Sequence, residues 1–162
     1  MAERLWAPWR ITYIQADSGP KQGCIFVDLP AEDDDEKNLI LFRGKTAFVM
    51  LNRYPYTNGH LMVAPYKHTA DVKELDDEEL LEINQLVAAC TGWIQECYKP
   101  QGFNIGVNLG SAGGAGIPDH VHWHIVPRWS GDTNFMTTVG DVRVMPESLE
   151  DSYARLKAVA SR

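Results

Sequence analysis

The sequence predicts an α+β fold: a mainly antiparallel sheet of about five strands, one long helix and a C-terminal helix, in a single domain spanning residues 1–162. Three observations carry this. Short apolar, β-branched runs recur with turn chemistry between them. One long segment alone shows sustained helical spacing of its apolar residues. The strand–helix–strand alternation of a doubly wound parallel sheet is absent.

The elements follow in order. Residues 1–20, with Leu5-Trp6-Ala7-Pro8-Trp9-Arg10, read as an irregular N-terminal arm carrying large apolar anchors. Residues 18–38 are rich in Gly, Pro and acid and read as loop. Residues 38–43 and 46–51 are strand candidates, and 52–59, with Pro55, Asn58 and Gly59, is a turn. Residues 60–64 form a third strand, stopped by Pro65. Residues 75–98 are the long helix: Leu80, Leu81, Ile83, Leu86, Val87, Cys90 and Ile94 follow helical spacing, and Asp76 to Glu79 sit where the helix dipole favours acids. Lys99-Pro100 ends it. Residues 102–109 read as a strand, 110–119 as a glycine-rich loop, 120–127 as a strand, 128–145 as a connector and 146–160 as the C-terminal helix.

Composition narrows the function classes. At 162 residues and 44% hydrophobic, the chain can bury a core. The net charge of −7 argues against a general nucleic-acid binder but not against a nucleotide, which needs only a local pocket of donors. No stretch approaches the roughly 18 apolar residues of a membrane span. Residues 1–10 mix acidic, basic and tryptophan residues, unlike a signal peptide, so a cytoplasmic location is expected. Cys24, Cys90 and Cys97 give no disulfide framework; Cys90 and Cys97, seven apart on the helix, are expected to be small core residues.

The chemistry concentrates in His120-Val121-His122-Trp123-His124, which holds three of the five histidines. On a strand, alternate residues share a face, so the three imidazoles line one surface while Val121, Trp123 and Ile125 face the other. Zinc binding and nucleophilic catalysis both suit such a row. The outer pair is about 13 Å apart at the backbone, so one ion could take only two of them without distortion. A neutral imidazole is a good nucleophile toward phosphorus near pH 7. Three same-face imidazoles fit that role unstrained, with His122 attacking and its neighbours donating hydrogen bonds to phosphate and leaving group. The nucleophilic reading is therefore preferred. The loop Asn108 to Gly116 abuts the row and offers backbone N–H groups as a phosphate cradle. His60 and His68, taken alone, read as ordinary core or surface histidines.

The row resembles the motif of the histidine triad family, His-φ-His-φ-His-φ-φ with φ apolar, which His120 to Val126 matches throughout. Asn52, eight residues before His60, and Asn108-Leu109-Gly110 are similar to further family features. Residues 5–10 and Pro127 to Phe135 resemble the bacterial branch related to diadenosine tetraphosphate phosphorylases. The resemblance implies that His122 takes up a nucleoside monophosphate, with His120 and His124 flanking it and His60 supporting the cluster. It implies ribose binding by Asn52, phosphate contact by Asn108 in the loop containing Gly114 and Gly116, and a homodimer with a continuous sheet. Trp129 is expected to stack on a second base.

Two departures qualify it. Many members carry Cys-x-x-Cys as half of a structural zinc site; here the run is Cys24-Ile25-Phe26-Val27, and no structural zinc is expected. Many hydrolytic members have Gln four residues before the first triad histidine; here Gly116 leaves room for inorganic phosphate as acceptor. The expected activity is cleavage of dinucleoside polyphosphates through a nucleotidyl-histidine, with phosphate in preference to water, and with no cofactor beyond a divalent cation accompanying the substrate. Nucleoside phosphoramidase, nucleotide-binding sensor and metal-dependent hydrolase are the alternatives.

Overall fold

The computed structural model describes residues 23–132 and 145–162; the N-terminal arm, Asn134 and Phe135 lie outside these. The fold is α+β. Five antiparallel strands, β1 (Ile40–Arg43), β2 (Ala47–Leu51), β3 (Leu61–Pro65), β4 (Gly102–Val107) and β5 (Trp123–Arg128), lie in the order β1-β2-β3-β5-β4. Among the described residues three α-helices accompany them: α1 (Ile25–Ala31), α2 (Asp77–Tyr98) and α3 (Leu149–Ala160).

Strand alternation divides the core in two. Val49, Leu51, Leu61, Val63, Val121 and Ile125 pack against Ile83, Leu86, Cys90 and Ile94 of α2 and Tyr153 and Leu156 of α3. On the opposite face Phe48, Met50, Met62 and Ala64 pack with Ile40 and with Phe26 of α1. Helix α2 begins with a full capping box between Asp76 and Glu79, two reciprocal bonds that satisfy orphan N–H groups, and ends at Lys99 in the left-handed conformation (φ 48°). Helix α3 is tied to β1 by the Tyr153 hydroxyl and the Lys157 ammonium, which donate to main-chain carbonyls there.

Three expectations need correction. Residues 18–38 are not all loop: Ile25–Ala31 is helical with Pro30 inside it, because burying Phe26 (1% exposed) outweighs the poor propensity of the segment. The triad strand starts at Trp123, so His120 and His122 precede it in an irregular lead-in; Val121 N–H bonds the Thr69 carbonyl instead of a sheet neighbour. Cys90 is core, but Cys97 is only half-buried, its thiol directed to the Arg155 carbonyl.

Candidate active site

The sheet face covered by α1 carries the histidines. Strand β3 pairs with β5 so that Met62 faces His124, and the turn before β3 brings His60 beside it. The His60 and His124 rings are 5.1 Å apart, the His122 and His124 rings 4.9 Å. Phe26 closes the row from above, 5.2 Å from the His120 ring and 4.6 Å from the His122 ring.

Main-chain partners assign the protons. His122 Nδ1 lies 2.8 Å from the His120 carbonyl. A carbonyl only accepts, so Nδ1 carries the hydrogen and Nε2 keeps its lone pair. His60 Nδ1 accepts the Tyr56 N–H (3.1 Å), so its Nε2 donates to His124 Nδ1 (3.0 Å). That leaves His124 with its hydrogen on Nε2, a donor. The row thus sets a bare ring nitrogen on His122 beside an N–H on His124, one nucleophile and one donor.

Burial keeps the row uncharged. Desolvation lowers the His60 pKa to about 3 and that of His124 to about 4, with neighbouring imidazoles adding to the effect. His122 is lowered as well, chiefly by burial and partly offset by its bond to the His120 carbonyl. His120 is pushed down to about 4 by burial, against the Pro65 carbonyl that raises it.

His120 differs from its neighbours. Its Nε2 donates to the Pro65 carbonyl (2.9 Å) and its Nδ1 lies 3.3 Å from the Cys24 thiol. Both nitrogens are engaged away from His122; its contribution to the nucleophile is its carbonyl. His68, read from sequence as an ordinary core or surface histidine, stacks 5.2 Å from the His120 ring. Together Cys24, His68 and His120 place three ligand atoms within 4.8 Å of one another.

The other expected residues fall as follows. Asn52 sits beside His60: its Nδ2 is 3.3 Å from His60 Nδ1, and its Oδ1 accepts the Tyr54 N–H. Asn108, half-buried, reaches the Gly114 carbonyl at 3.5 Å and so braces the glycine loop. Gly110 and Gly114 adopt φ +68° and +89°, open to glycine at little cost. Gly116 is exposed, and the next residue, Ile117, packs on the histidine-side core, which anchors the loop there. Trp129 lies at the end of α2, its Nε1 donating to the Tyr98 carbonyl. It lines a cavity of about 520 Å³ with Tyr98, Arg155 and Tyr56, and Tyr56 also contacts the His60 ring at 4.6 Å. Sequence reasoning missed Phe26, Tyr56 and His68, which carry no local signal since each reaches the site only through tertiary packing, and it gave Cys24 only as the remaining thiol of a Cys-x-x-Cys run.

Comparison with known proteins agrees with this geometry. The HIT domain family model matches residues 34–131. An AP-4-A phosphorylase of Mycobacterium tuberculosis (strain ATCC 25618 / H37Rv) is 37% identical over 93% of this chain and 80% of its own length. Among solved structures, a Zn-bound histidine triad family protein from Mycobacterium smegmatis superposes with a TM-score of 0.62 at 26% identity, covering 76% of this chain and 84% of that one. A hypothetical histidine triad nucleotide-binding protein from Sulfolobus tokodaii superposes at 0.65, with 24% identity and coverage of 85% and 92%.

Proposed function

The chain belongs to the HIT domain family, and from that premise we propose that it cleaves dinucleoside polyphosphates by nucleotidyl transfer through His122. The observation that carries the reading is the bond from His122 Nδ1 to the His120 carbonyl (2.8 Å), which aims a lone pair on Nε2 outward from a neutral imidazole. Nε2 attacks the α-phosphorus and the bond to the bridging oxygen of the departing polyphosphate breaks. The N–H of His124 Nε2, held in that tautomer by His60, donates to the oxygens that gain charge. Asn52 takes the ribose hydroxyls, and the loop of Asn108, Gly114 and Gly116 offers N–H groups to the phosphates.

An acceptor then displaces His122 from phosphorus. Phosphate acting on a diadenosine tetraphosphate adduct yields ADP, with ATP released in the first step; water yields AMP and ATP. Phosphate is favoured because Gly116 places no side chain at the acceptor approach and the M. tuberculosis relative is described as a phosphorylase. Assay of products with and without phosphate tests this. ADP plus ATP, formed only when phosphate is present, is expected. AMP at an unchanged rate in its presence would make the protein a hydrolase, and no turnover in either condition would remove the assignment. No described helix is long and apolar enough to cross a membrane.

A further inference from the structure

The side chains of Cys24, His68 and His120 take no part in the reaction above, yet the corner they form is built. A structural zinc is closed by four nitrogen or sulfur donors in a tetrahedral array. Three are present, their ligand atoms within 4.8 Å of one another, and no other His, Cys, Asp or Glu joins them among the described residues. Val27, one helical turn beyond Cys24, stands where a Cys-x-x-Cys run would supply the fourth; its side chain offers no donor.

The corner is also satisfied without an ion. The Pro65 carbonyl, an acceptor only, holds the hydrogen of His120 on Nε2 (2.9 Å). The lone pair on Nδ1 therefore faces Cys24 Sγ at 3.3 Å, within reach of the S–H. The Val27 and Asp28 N–H groups bond the Cys24 carbonyl (both 2.8 Å), which fixes Cys24 at the start of α1, and His68 stacks on the outer face of the ring. The chain Cys24–His120–Pro65 thereby joins the start of α1, the lead-in to β5 and the end of β3.

We propose that this protein replaces a structural zinc with this hydrogen-bonded clasp, and that the corner stays one donor short of a metal site.

Zinc uptake, measured by competition against a chromophoric chelator, and thermal unfolding test this on the full chain. Wild type is expected to take up less than a tenth of an equivalent of zinc and to keep its Tm in chelator. Cys24→Ala is expected to lower Tm by a few degrees. Val27→Cys is expected to take up one zinc per chain with a Tm rise of several degrees, reversed by chelator, and adding His68→Ala is expected to abolish that uptake. Stoichiometric zinc in wild type, with a Tm that falls on chelation, would overturn the replacement. An unchanged Tm in Cys24→Ala would overturn the clasp, and Val27→Cys binding no more zinc than wild type would overturn the missing-donor reading. If Val27→Cys does not fold, the two wild-type measurements and Cys24→Ala still decide.

Discussion

At the scale of residues, the site depends on tautomers that the main chain imposes. Carbonyls and N–H groups do not titrate, so the His120 carbonyl and the Tyr56 N–H fix which nitrogen of His122 and of His60 is bare. Replacing His122 with Asn removes the nucleophile but keeps a polar side chain near the His120 carbonyl. A fall in kcat of at least about a thousandfold is expected, with nucleotide binding by calorimetry within a few-fold of wild type; covalent labelling by substrate in that variant would sink the mechanism. The buried imidazoles also make stability depend on pH. The folded pKa values of His60, His120 and His124 are about 3, 4 and 4, below the ordinary 6.5, so between pH 6.5 and 4 the unfolded chain binds more protons. Stability is then fully present above pH 6.5 and falls as pH drops, each such histidine contributing up to roughly 1.4 kcal/mol per pH unit. Urea unfolding at pH 7, 5.5 and 4.5 measures the slope, and His60→Asn is expected to flatten it by about one proton.

At the scale of elements, α1 acts as the cover of the row. Phe26 is buried against His120 and His122, so Phe26→Ala should cost about 3–5 kcal/mol in urea unfolding and should lower activity as the row gains water. A variant that lost stability with full activity would leave α1 a purely structural helix. The opposite side of the site hangs on Glu147. Its carboxylate accepts from the Tyr98 hydroxyl, Ser152 Oγ and Arg155, and its carbonyl accepts from Asn58 in the turn that carries Asn52 and His60. Glu147→Ala should destabilise by about 1–3 kcal/mol, read from the urea midpoint. Which of these parts could be read in the sequence follows from their range. Helix α2 was legible because its apolar spacing and acidic first turn are local, though not its cap at Asp76, and β2 and β3 because turn residues bracket them. Helix α1 was not, since Pro30 and the neighbouring acids mask a segment held by one buried ring. His122 and His124 were legible from alternation, but His120 turns toward Cys24 and Pro65, contacts 96 and 55 residues away in sequence, which no local pattern encodes.

At the scale of the whole molecule, the sheet order leaves β4 at an edge. Gly102–Val107 pairs with β5 on one side, and no other described strand lies on its free side. Ile105, in the middle of that strand, is 49% exposed, and Leu109 just beyond is 48% exposed. An unprotected edge with an apolar centre pairs readily with another strand, and a second copy related by a two-fold axis presents the same edge in antiparallel sense. The dimer with a continuous sheet that the family resemblance implies is therefore expected to form here, β4 against β4. Sedimentation of the wild type should give twice the chain mass. Ile105→Lys, which sets two ammonium groups close together across the axis and leaves β5 pairing intact, should shift it toward monomer while the far-ultraviolet circular dichroism stays unchanged. A wild type that sediments as a monomer at tens of micromolar, or an Ile105→Lys variant that remains a dimer, would place the contact elsewhere or remove it. Strand β4 leads directly to Asn108 and the glycine loop, so the monomeric variant is also expected to show a higher KM for the dinucleotide.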